Sequence, residues 1–140
     1  AEETVAMLIE FIVPGQPVAK ARPRVTSFGH TYTPKKTKLY ERMVSGLAKK
    51  QWMFEPMTGP LKLTVVCVFA RPKRLMRKAD PDDRVWMPKR PDLDNCLKSI
   101  SDGCDVVMKD DAQIVLIEAS KYYAAKGEEP HVCVRLEPAV

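Results

Sequence analysis

A chain of 140 residues, 45% hydrophobic and 29% charged, is long enough to bury one core and has the composition of a single globular domain spanning 1–140. No apolar run approaches the ~20 residues that cross a bilayer, so no membrane partner is expected, and the Ala1-Glu2-Glu3-Thr4 start lacks the basic region of a secretory leader. The net charge of +5 is unevenly spread: residues 20–90 hold 18 Lys/Arg and 5 Asp/Glu, residues 91–140 hold 5 and 10, and this segregation points to a polyanion held beside an acidic centre.

In chain order, Met7–Val13 reads as a strand stopped by Pro14-Gly15. Gly15 to Arg24 is kept extended by its prolines and is studded with cations, and Phe28-Gly29-His30 makes a tight turn between two short extended pieces. Thr33-Pro34 opens a helix, with Thr33 as cap and Pro34 at the first helical position. That helix runs to about Met53, with Leu39, Met43, Leu47 and Gln51 in line on one side. Leu61–Ala70 alternates and is β-branched, a strand. From Arg71 to about Pro91 no hydrophobic period survives, and the charges and prolines predict a mobile basic loop.

Asp92 to about Gly103 reads as a helix whose apolar arc is Leu93, Cys96, Leu97, Ile100 and Cys104, with Asp94, Asn95, Lys98 and Asp102 opposite. Gly103 weakens or ends it. Ile114–Ala124 is a strand, Lys126 to Pro130 turns the chain, and the alternation of Val132, Val134 and Leu136 makes a closing hairpin strand. The order β-(hairpin)-α-β-loop-α-β-β predicts an α+β domain, a mixed sheet packed against two helices on one face. Cys67, Cys96, Cys104 and Cys133 form no C-x-x-C pair, and His30 and His131 are far apart. Buried free thiols in a reducing cytoplasm fit better than a structural zinc site.

Two acidic clusters carry the chemistry: Asp92-Leu93-Asp94-Asn95 at a helix start, directly after Lys89-Arg90-Pro91, and Lys109-Asp110-Asp111 before a strand. Read singly, Asp92 is a helix cap, Asp94 a first-turn acid, and Asp110-Asp111 a solvated turn. Read together, carboxylates this dense repel unless a cation neutralises them, and hard divalent ions such as Mg²⁺ take oxygen ligands. Lys98, one turn after Asp94, is either an i,i+4 partner of that acid or a cation steadying charge on a phosphate.

The run Arg90-Pro91-Asp92-Leu93-Asp94-Asn95-x-x-Lys98, followed by Lys109-Asp110-Asp111-Ala112-Gln113-Ile114-Val115, resembles the RusA-type Holliday junction resolvases, often encoded by phages and prophages. The stretch Pro14-Gly15-Gln16-Pro17 through Lys20-Ala21-Arg22-Pro23-Arg24 is similar to the phage branch of that family. The resemblance covers nearly the whole chain. It implies a homodimeric, Mg²⁺-dependent endonuclease in a bacterial cytoplasm, with Mn²⁺ as a substitute ion and no small-molecule cofactor. Its substrate would be four-way or other branched DNA, cut by paired nicks. Carried over, Asp92, Asp94 and Asp111 match the essential acids, Lys98 the essential lysine, and Asp110 a neighbouring acid that joins the metal set. Lys20, Arg22, Arg24, Arg71, Lys73, Arg74, Arg77, Lys78, Lys89 and Arg90 then become phosphate contacts, which position DNA without reading sequence. Phe28, Tyr32 and Trp86 are candidates to stack on unpaired bases or to anchor loops. Two rival readings are a non-catalytic branched-DNA-binding module and a nuclease preferring other branched or single-stranded DNA.

Overall fold

The apolar-polar alternation of Ile9–Pro14 produces a one-sided strand, β1, whose Ile9, Phe11 and Val13 are buried while Glu10 and Ile12 face solvent. The computed structural model describes residues 7–140; the Ala1–Thr4 start lies outside the described residues. After β1 come a small hairpin of β2 (Arg24–Val25) and β3 (Thr31–Tyr32), helix α1 (Lys35–Gln51) and strand β4 (Leu61–Phe69). They are followed by β5 (Val85–Trp86), helix α2 (Leu93–Gly103), β6 (Ile114–Tyr123) and β7 (His131–Pro138). The main sheet is mixed, in the order β1-β7-β4-β6-β5, with β4 and β6 parallel and the other pairs antiparallel. Both helices cover the face that carries Leu63, Val65, Val134 and Leu136, so the α+β arrangement is as expected.

The last two strands are not a hairpin pair. β7 lies between β1 and β4, and β6 pairs with the far side of β4, so β4 separates the two strands. The segment read as a structureless loop contains a turn of 3₁₀-helix at Lys73–Leu75 and the short strand β5.

In α1 the buried line is Thr37, Tyr40, Val44 and Ala48, one position along from the expected stripe, and Leu39 and Met43 are exposed. The reason is the neighbour it packs against. The Cα of Gly103 in α2 comes so close to Val44 that a Cβ on Gly103 would sit 2.6 Å from the valine side chain. This close helix-helix contact turns the Val44–Ala48 line inward in place of the Leu39–Met43 line. Gly103 is therefore a packing residue within the helix, and the chain continues past it as a 3₁₀ turn at Cys104–Val107. Pro34 occupies the cap position of α1 rather than its first turn, and no side chain caps this helix. In α2 the buried positions are Cys96, Ser99, Ile100 and Gly103, so the face is rotated from the expected arc towards its small residues. All four cysteines are free, three of them buried.

Candidate active site

The first acidic cluster sits where the chain enters α2. Asp92 occupies the cap position, yet its side chain makes no capping hydrogen bond, and Asp94 stands exposed in the first turn. Neither carboxylate forms an ion pair among the described residues. What holds this corner is a residue from the sheet. Lys121 of β6 is paired in register with buried Cys67 of β4, and its Nζ donates to the carbonyls of Lys89 (2.7 Å) and Pro91 (2.8 Å). The Arg90–Pro91 peptide is cis. On the other side the backbone N–H of Lys20 donates to the carbonyl of Asn95 at 2.9 Å, and buried Ser99 donates through Oγ to Val18 at 2.6 Å. The cationic stretch is thus sewn along the start of α2.

The second cluster is a 3₁₀ turn, Asp111–Gln113, closed by a reciprocal cap. Asp110 accepts from the Ala112 N–H at 2.9 Å, and Gln113 Oε1 accepts from the N–H groups of Lys109 and Asp110, each at 2.9 Å. Gln113 Nε2 then donates to the carbonyls of Met57 (2.9 Å) and Gly59 (3.0 Å), tying the turn to the segment before β4. The Ala112 N–H holds the Asp110 carboxyl below its ordinary value. Asp111 goes the other way, raised first by its contact with the Asp110 carboxyl and then by the nearby charges of Asp110 and Asp105, with Lys98 opposing.

Lys98 is exposed and pairs with Asp102 (3.6 Å), not with Asp94, while remaining close enough to Asp111 to act on its charge. The two clusters share this side of the molecule but do not converge: among the described residues no group of three or more acids, histidines or cysteines stands close enough to hold a metal ion. The donors themselves, exposed carboxylate oxygens with a repulsion between neighbours, suit a hard divalent cation.

The ten cations divide by what they touch. Lys20 is engaged with Glu41 and, at 3.1 Å, with Asp102, and its side chain is only 21% exposed. Arg71 donates to the carbonyls of Leu75, Pro81, Asp83 and Ala124 and so serves as an internal brace. Arg74 lies over the Tyr123 ring, and Arg77 pairs with Asp80. Arg22, Arg24, Lys73, Lys78, Lys89 and Arg90 are exposed and have no ion-pair partner among the described residues. Arg24, Lys36 and Arg90 also line a cleft of about 490 Å³, walled by Val18, Phe69 and Met87 and ending at Pro91, the residue before Asp92.

Gln113 and Lys121 are the positioning residues that the acidic pattern alone does not reveal. Gln113 carries a sequence signal, an acid-x-x-Gln capping box. Lys121 carries a weaker one, a lysine at an inward position of an alternating strand.

The sequence matches the endodeoxyribonuclease RusA family over residues 14–137. The chain belongs to that family. It is also 31% identical, over 137 residues, to the uncharacterized protein YqaN of Bacillus subtilis (strain 168), an alignment covering 91% of this chain and 94% of that one. The RusA match runs from the last residue of β1 to the penultimate residue of β7, so it takes in both acidic clusters, the cationic stretch and the main sheet apart from most of β1. Membership makes the protein one of a family of DNA nucleases. Among the described residues no helix is long and apolar enough to cross a membrane.

Proposed function

We propose that this RusA-family chain is a metal-dependent, structure-selective endonuclease that resolves four-way DNA junctions by paired phosphodiester cleavage, acting as a homodimer with one acid set per subunit. The observation that carries the reading is the contrast at the start of α2. Among the described residues Asp92 and Asp94 have no capping bond and no ion pair, while Lys121 and Lys20 fasten the backbone on either side of them. Exposed carboxylates without an internal partner, set on a fixed backbone, leave their oxygens free to bind a cation from outside the chain.

In this reading Asp92, Asp94, Asp111 and the neighbouring Asp110 would hold Mg²⁺, with Mn²⁺ as a substitute. When bound, such an ion supplies Lewis acidity towards a phosphoryl oxygen and lowers the pKa of a bound water. The protein's own part is positioning. Gln113 fixes the turn bearing Asp111, Lys121 fixes the approach to Asp92, and Lys98 offers a cation against charge gathering on the phosphate. Arg22, Arg24, Lys73, Lys78, Lys89 and Arg90 would grip neighbouring phosphates, which makes binding fall steeply with salt. Their work in recombination and repair would follow from junction cleavage.

The deciding experiment is cleavage of a labelled synthetic four-way junction beside linear duplex, with Mg²⁺ and with EDTA. Symmetric paired nicks confined to the junction and dependent on the metal are expected. One specific observation favours a second reading, a non-catalytic branched-DNA-binding module: the separation of the two acid clusters. That reading predicts junction binding with no nicks under Mg²⁺ or Mn²⁺.

A further inference from the structure

The β2–β3 hairpin has both strands exposed and carries an unusual load of uncovered apolar surface. Phe28, at its tip, is 88% exposed, with Val25 at 64% and Tyr32 at 43%. A phenylalanine so placed loses the burial that normally stabilises it, and lone exposed aromatics on flexible loops are unremarkable. This one is on a locked turn. The Thr26 N–H donates to the His30 carbonyl (2.7 Å), the Gly29 N–H to the Thr26 carbonyl (3.0 Å), and the His30 N–H to Thr26 Oγ1 (3.1 Å). Gly29 supplies the positive φ of 83° that the turn requires. Its base is cationic: Arg22 and Arg24 are exposed, and Arg24 borders the cleft that runs down to Pro91.

A rigid, protruding aromatic on a basic footing suits the open face of a nucleobase, because stacking needs a flat apolar surface and the flanking phosphates need cations. Fully paired duplex offers no such face along its length, whereas a branch point breaks the base stack. We propose that the β2–β3 hairpin is a branch-point reader: Phe28 stacks on the base pair or unpaired base exposed where the strands exchange, with Arg22 and Arg24 on the adjoining phosphates. This rests on the junction-binding reading above and adds the element that selects the branch. Arg24 of the hairpin shares the lining of that cleft with Arg90 and Pro91 of the chain entering Asp92, so the hairpin's base and the approach to the acids border one depression.

The test uses the full-length protein in EDTA, with a four-way junction carrying 2-aminopurine at the exchange point and a linear duplex as reference. Wild type should bind the junction preferentially and change the 2-aminopurine fluorescence. Phe28→Ala should lower the junction-over-duplex preference by about tenfold and remove most of the fluorescence change, leaving duplex binding as it was. Phe28→Trp should restore both. Equal junction preference and an equal fluorescence change in Phe28→Ala would overturn the hairpin proposal alone. Equal binding of junction and duplex by wild type would overturn the parent reading with it. A changed oligomeric state in Phe28→Ala, read by light scattering, would assign the tip to a second copy of the chain instead.

Discussion

Two regions of this molecule are rich in acids and handle them in opposite ways. Where the 71–91 segment meets the turn after β6, Asp80, Asp82 and Glu128 are all paired inside the protein. Arg84 makes a two-point pair with Glu128 (3.0 and 2.8 Å), Lys126 reaches Asp82 at 3.3 Å and also the carbonyls of Arg77 and Asp80, and Arg77 pairs with Asp80. At the start of α2 and the Asp110–Gln113 turn, the fastening residues bond to backbone carbonyls and N–H groups, and Asp92, Asp94 and Asp111 form no ion pair among the described residues. The first arrangement spends its charge on holding the chain together. The second holds the chain by other means and leaves its charge for something outside, which is what a site needs.

The largest effect that sharpens this contrast is expected from Asp94→Asn. If the α2 carboxylates serve chemistry, junction cleavage should fall by about a thousandfold or more, since ligating acids support several kcal/mol of transition-state stabilisation. Thermal stability should hold, and junction binding should persist or tighten, because one negative charge near the phosphates is gone. A lowered melting temperature with cleavage retained would break the contrast. Next comes Gln113→Ala. Gln113 touches no phosphate in the proposed site, so its loss should act through the placement of Asp111 and reduce cleavage by roughly 10–100-fold with binding unchanged. Lys121→Met removes the two bonds to Lys89 and Pro91 and should give a smaller drop of the same kind, about tenfold. Single-turnover rates beside equilibrium binding separate both from a folding defect.

Much of this arrangement is legible in the residues, and the gaps have physical causes. The main strands, both helices and the mixed sheet follow from period-2 and period-3.6 patterns. The insertion of β7 between β1 and β4 does not, because alternation identifies an inward face without naming the partner strand. Nor does the buried line of α1: Leu39–Met43 is the more hydrophobic stripe, but the close approach of Gly103 favours Val44 and Ala48, and only the partner helix discloses that. At the site, acids and cations stand out by composition. Their division into partnered and unpartnered groups depends on long-range contacts such as Lys20 with Glu41 and Asp102, and so do the roles of Lys121 and Gln113.

The smallest effect tests the closed region by pH. The bond from Arg84 holds the Glu128 carboxyl down at about 2, against an ordinary value of 4.5. A depressed carboxylate contributes stability that is fully present above 4.5 and is lost as pH falls towards 2. Urea unfolding across that window should therefore show wild type losing stability more steeply than Glu128→Gln, which has no such proton to gain. The variant should start lower at pH 7 and converge with wild type in acid, while its junction cleavage at neutral pH stays near normal. Parallel curves would mean that the pair adds nothing to folding. A cleavage defect in Glu128→Gln would mean that the Arg84–Glu128 pair serves the site as well as the fold, and the two regions would no longer divide so simply.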